Sequence, residues 1–149
     1  MIDAGRPGKL HVCVVEDFPD AQSLVKDVLS YAGVEVTIAA NGAILDSLLG
    51  QGLKPDMFLL DLALPGETGI EIMRRLRGDA SWNRCPIVAL TAFGFGRDRR
   101  QALSMGFDGY ITKPIDLGTF SSTVLSFFPQ YATGLTGARA HAARRARGR

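Results

Sequence analysis

The chain has no long apolar run: nothing in its 149 residues approaches the roughly 20 consecutive apolar residues that a membrane-spanning helix needs. Its start, Met1 to Lys9, lacks the apolar centre of a secretory signal. Cysteine is scarce. Cys13 and Cys85 each sit in or beside an apolar stretch, and no CxxC spacing occurs. That pattern points to buried free thiols in a reducing cytoplasm rather than to a disulfide or a zinc site. There are no internal repeats and no linker long enough to part a second domain, and the expectation is a chain without a DNA-binding or enzymatic output domain. Acids are missing from the last eleven residues, which hold Arg139, Arg144, Arg145, Arg147 and Arg149. Without those five, 12 basic residues face 15 acidic ones, so the net charge of +2 hides a mildly acidic body and a basic tail.

What is present suffices for one ordinary domain. The apolar fraction is 46% and the charged fraction 21%. The chain is organised around Asp56-Met-Phe-Leu-Leu-Asp61, four apolar residues closed by acids and followed by the turn Ala63-Leu-Pro-Gly66. Such a run reads as a strand buried on both faces. Similar runs are Leu10–Val15, Val34–Ile38, Pro86–Leu90 and Phe107–Ile111. Between them lie helical patterns. The first has Pro19 in its first turn and an apolar stripe of Ala21, Leu24, Val25, Val28, Leu29 and Ala32, with Gly33 stopping it. The second carries Ile44, Leu45, Leu48 and Leu49. The third runs from Thr68 to Arg77 with Ile70, Met73 and Leu76 inward. The fourth spans Arg97 to Met105 after a glycine-rich stretch. The last is capped by Asp116, with Leu117, Phe120, Val124, Leu125 and Phe128 as its apolar side. Five strands alternating with five helices predict an α/β fold, a parallel sheet covered on both faces. The expected limits are an extension at 1–8, one domain at 9–130 and a loose basic tail at 131–149.

Four strands end in reactive groups: Glu16-Asp17, Asp61, Thr91 and Lys113. A parallel sheet brings such ends to one edge, where ligands bind. Taken singly, each has a plainer reading: Asp17 a loop acid, Thr91 a helix cap, Lys113 a solvated lysine. Together they solve one chemical problem. Three carboxylates gather in a pocket only around a cation, and oxygen-only ligands suit Mg²⁺. Lys113 and Thr91 suit a phosphoryl group, and a carboxylate can be its nucleophilic acceptor.

These residues resemble the receiver domains of two-component response regulators. The resemblance covers about Leu10 to Phe128. It rests on Glu16-Asp17, Asp61-Leu-Ala-Leu-Pro-Gly-Glu-Thr-Gly69, Ala89-Leu-Thr-Ala92 and Gly109-Tyr-Ile-Thr-Lys-Pro114. It implies a doubly wound (βα)5, flavodoxin-like and CheY-like fold with sheet order 2-1-3-4-5. It implies that Asp61 takes phosphate from a phosphohistidine on a histidine kinase or histidine phosphotransfer protein. It implies that Asp17, Asp61 and the Ala63 backbone carbonyl bind Mg²⁺, with Glu16 acting directly or through water. Lys113 would pair with Asp61 at rest and with the phosphate afterwards, through a cis Lys113–Pro114 bond. Thr91 and Tyr110 would act as the switch, although an aromatic in a strand is ordinarily core. The output face would comprise Phe93–Met105, Tyr110 and the last helix, would meet a downstream protein target, and would also serve a homodimer.

Departures carry their own expectations. Ala63, Ala92 and Phe93 flank the implied phosphate, and the side chains of Ala63 and Phe93 cannot hydrogen-bond a water, which predicts slow self-dephosphorylation. Leu64 stands where the family often has methionine, a tolerable apolar exchange. The rival readings are a receiver cut from a hybrid kinase, a haloacid-dehalogenase-type phosphatase and a binding-only pseudo-receiver. The start at Met1 and the short ends favour a stand-alone regulator. The phosphatase needs an aspartate where Ala63 stands, and the pseudo-receiver would have lost Asp61, Asp17 or Lys113. Nucleic-acid binding rests on the arginine tail alone, and charge runs are usually solvated.

Overall fold

The computed structural model describes residues 9–92 and 99–128. The chain divides into two compact units, Met1–Pro114 and Ile115–Arg149. The first unit holds five parallel strands: β1 (His11–Val15), β2 (Glu35–Ala39), β3 (Met57–Asp61), β4 (Ile87–Thr91) and β5 (Gly109–Thr112). They lie in the order β2-β1-β3-β4-β5. Between them run α1 (Pro19–Tyr31), α2 (Gly42–Gly50), α3 (Gly69–Arg77) and α4 (Arg99–Met105). The α/β class and the implied order are therefore both observed.

Local chemistry sets the helix starts. Pro19 occupies the first turn of α1, where its missing N–H costs nothing. Asn41 accepts from the Ile44 amide at 2.9 Å and caps α2. Thr68 and Glu71 exchange side-chain bonds with each other's amides, a capping box on α3.

Strand residues alternate between two covered faces. On one, Cys13, Val15, Phe58, Leu60, Ile87 and Ala89 pack with Leu45 of α2, Ile72, Met73 and Leu76 of α3, and Ala102 of α4. The intervening Val12, Val14, Met57, Leu59, Val88 and Leu90 are equally buried. Trp82 stands edge-on to Phe58, ring centroids 5.1 Å apart. The start of β4 is fixed by an ion pair between half-buried Arg77 and buried Asp108. Asp108 accepts from the Ile87 amide and from Arg77 Nη2, each at 2.6 Å. The remaining Arg77 donors reach the carbonyls of Gly106, Trp82 and Cys85.

Several sequence expectations are corrected. Leu24 is 42% exposed and Ala32 is exposed. The buried stripe of α1 centres on Val25 and Leu29, and Leu24 sits about 100° round from Val25. In α3 the inward set is Ile72, Met73 and Leu76, with Ile70 only partly covered. In the second unit the helix is α5 (Phe120–Leu125), with Thr119 at its N-cap. Asp116 instead closes a turn ahead of it, accepting from the Gly118 amide at 2.8 Å, and this leaves Leu117 62% exposed. Phe120, Val124 and Phe128 are buried as expected. Cys13 is buried as expected, whereas Cys85 is only half-buried, its Sγ facing the carbonyls of Pro55 and Pro86. The 1–8 extension, residues 93–98 and the tail lie outside the described residues.

Candidate functional site

The parallel register gathers the strand ends. Asp61 closes β3, the central strand, and pairs in register with Leu90; Thr91 closes β4 opposite Thr112 of β5. Glu16 and Asp17 follow β1 directly, and Lys113 follows β5. The Lys113 amide donates to the Thr91 carbonyl at 2.9 Å, so these two strand ends are locked together. The Lys113–Pro114 peptide is cis.

Glu16 and Asp61 are buried and Asp17 is exposed. One ligand oxygen from each of the three lies within 4.8 Å of the others. Lys113 Nζ bridges two of them, 2.9 Å from Glu16 Oε1 and 3.3 Å from Asp61 Oδ2. The other carboxylate oxygens take backbone amides: Glu16 Oε2 from Phe18 at 3.1 Å, Asp61 Oδ1 from Ala63 at 2.9 Å. Gln22 Nε2 donates to the Glu16 carbonyl at 2.6 Å. Gly69 lies against the Asp61 backbone carbonyl, so closely that a Cβ there would collide with it. Three carboxylates and one ammonium leave a local charge near −2, the deficit that one divalent cation fills. Burial pushes the Glu16 carboxyl up, and the Asp61 charge adds to this; the bonds from Lys113 and Phe18 offset it only in part. Burial works against the Lys113 charge, yet the Glu16 hydrogen bond and the charge of Asp61 outweigh it, so Lys113 titrates above its ordinary value.

The structure brings together Glu16, Asp17, Asp61 and Lys113, and holds Thr91, buried, beside them through the Lys113 backbone. Ala63 and Ala92 are exposed. Tyr110 is half-buried and packs against the core, opposite Ala89. Phe93 lies outside the described residues. Sequence reasoning missed the Phe18 and Ala63 amides and Gln22, because backbone donors leave no residue-type signal. Gly69 was legible only as part of its motif.

The sequence model of the response regulator receiver domain matches residues 12–124. The chain belongs to that family. This receiver domain is 37% identical over 108 residues to an uncharacterized 14.6 kDa protein of Leptolyngbya boryana, covering 72% of this chain and 82% of the other. It is 32% identical over 117 residues to the polar-differentiation response regulator DivK of Brucella anthropi, covering 78% and 94%. A similar solved structure is the receiver domain of the sensor histidine kinase PA1611 from Pseudomonas aeruginosa, at 29% identity and TM-score 0.67 over 78% of this chain and 95% of that one. That domain is described with a magnesium ion coordinated in its active-site cleft. The receiver domain is thus a part of two-component signalling. Among its described residues no helix is long and apolar enough to cross a membrane.

Proposed function

We propose that Asp61 accepts a phosphoryl group from a phosphohistidine on a histidine kinase or phosphotransfer protein, and that the domain changes partner binding when it does. The supporting observation is the three-carboxylate cluster bridged by Lys113 at the end of the central strand. A carboxylate oxygen of Asp61 attacks phosphorus, the phosphorus–nitrogen bond breaks, and its electron pair returns to the imidazole. The oxygen set of Asp17, Asp61 and the Ala63 carbonyl, with Glu16 directly or through water, suits Mg²⁺, whose charge when bound neutralises the phosphoryl oxygens. Lys113 already touches Asp61 and follows the phosphate with its ammonium; the Ala63 amide orients the nucleophile. Thr91, tied to Lys113 by its carbonyl, supplies a hydroxyl on the β4 side, and Tyr110 on β5 is the partner that repacks.

In this reading the domain spans 9–130, with 1–8 and 131–149 as appendages, and acts in the cytoplasm as a stand-alone regulator. Its output passes through α4 and β5 to a downstream protein or a second copy. Residues 93–98 of that face lie outside the described residues, and the last helix belongs to the second unit. The test is phosphotransfer from candidate kinases, and from a small phosphodonor, with Mg²⁺. Label should appear on wild type and vanish in Asp61→Asn or with chelator. Label that survives Asp61→Asn overturns the assignment.

A further inference from the structure

The loop from Leu62 to Thr68 carries the Ala63 carbonyl and is pinned at both ends. At its start the Ala63 amide bonds the Asp61 side chain; at its end Thr68 caps α3 and Gly69 abuts the Asp61 carbonyl. Glu67, the residue just before that cap, is also held from outside. Arg75 of α3 grips Glu67 with two donors, Nε to Oε2 at 2.7 Å and Nη2 to Oε1 at 2.9 Å. Its third donor, Nη1, reaches Asp46 Oδ1 of α2 at 2.8 Å. Glu67 Oε1 occupies the place that a Cβ on Gly42, the first residue of α2, would take. One loop carboxylate is therefore seated between two helices by a planar fork.

Stability alone accounts poorly for this arrangement. Arg75 and Asp46 are 41% and 54% exposed, and exposed ion pairs contribute little. A bidentate fork contributes geometry instead. The Arg75 bond holds the Glu67 carboxyl below its ordinary value, and Glu67 in turn holds Arg75 above its own. We propose that Arg75 is a positioning residue: by seating Glu67 between α2 and α3 it sets the Ala63 carbonyl, and with it the affinity of the acidic pocket for a divalent cation. The inference rests on the cation site proposed above.

The test is calorimetric titration of Mg²⁺ into the full chain, well below the melting temperature, for wild type, Arg75→Met, Glu67→Gln, the double variant and Gly42→Ala. Charge acting through space moves the two single variants oppositely: losing Arg75 tightens Mg²⁺ and losing Glu67 loosens it. Positioning loosens both, by about three- to tenfold, within or below the range for outer-shell partners of metal ligands. The double variant is then no weaker than the worse single one. Gly42→Ala changes no charge and loosens Mg²⁺ as well, because its methyl displaces Glu67. Opposite shifts in the charge variants, or an unchanged constant in Gly42→Ala and Arg75→Met, overturn the positioning role while the cation site stands. If wild type takes up no Mg²⁺, the site itself fails and the inference falls with it.

Discussion

Lys113 lies closer to Glu16 than to Asp61, 2.9 Å against 3.3 Å, although Glu16 is 97 residues away in sequence. The lysine at the end of the last strand is thus anchored on an acid at the end of the first. Glu16 is 1% exposed at its side chain, so little water shares that charge. The ammonium serves two carboxylates at once, so removing it and removing one of the carboxylates should shift stability in opposite directions.

In chelator, Lys113→Met strips a cation from two buried acids and should lower stability by about 3 kcal/mol, as broken buried pairs do. Asp61→Asn removes a repulsion from Glu16 and should raise stability by about 1 kcal/mol. Urea melts of both variants check this. Shifts of the same sign would count against a strained acidic cluster.

Mg²⁺ that binds only the folded chain should stabilise it by about 1.4 kcal/mol at tenfold excess over its dissociation constant. Asp17 is exposed, so Asp17→Asn should leave the chelator melt nearly unchanged and abolish the Mg²⁺-dependent rise. Paired thermal melts with and without chelator read both effects.

Arg77→Met should be among the most damaging changes away from the pocket. It takes the guanidinium from the buried Asp108 and from three backbone carbonyls. A loss of about 3–5 kcal/mol is expected in denaturant melts, with Asp108→Asn milder because its oxygen still accepts from Ile87.

The Glu67–Arg75 pair predicts a pH signature. The folded carboxyl of Glu67 titrates below its ordinary value because Arg75 donates to it. Its contribution is therefore fully present above the ordinary glutamate pKa and is lost as pH falls through the lower folded value. Both partners are partly exposed, so solvent and salt limit the amount to about 0.5 kcal/mol. The stability difference between wild type and Glu67→Gln should shrink in acid and in molar salt.

The Ala63 side chain is exposed and cannot hold a water; Phe93, which the family resemblance also implies beside the phosphate, has a side chain without a polar atom. Phosphoryl loss from the purified, labelled chain should therefore take minutes or longer. A lifetime of seconds refutes this.

Much of the pocket was legible because strand ends in a parallel sheet converge, so Glu16, Asp17, Asp61, Thr91 and Lys113 could be grouped from chain order alone. Hydrophobic period gave the helices but blurred their faces. Leu24 and Ile70 belong to the apolar pattern yet lie off the buried line, and a period of 3.6 cannot distinguish a stripe's centre from its margin. Asp116 suits a helix cap by residue type but closes the preceding turn, since one residue type serves both. Least legible were the pairs made by folding itself. Nothing local marks Arg77 for Asp108, or Arg75 for Glu67 and Asp46, among several neighbouring arginines.

The order of the strands has a bearing on synthesis. All three acids are made by residue 61, whereas the ammonium that bridges two of them, Glu16 and Asp61, arrives only with residue 113. A chain that stops short of Lys113 lacks the cation that offsets the buried Glu16 and Asp61. The contact that ties the end of the first strand to the end of the last can therefore form only after β5 has been made, late in synthesis.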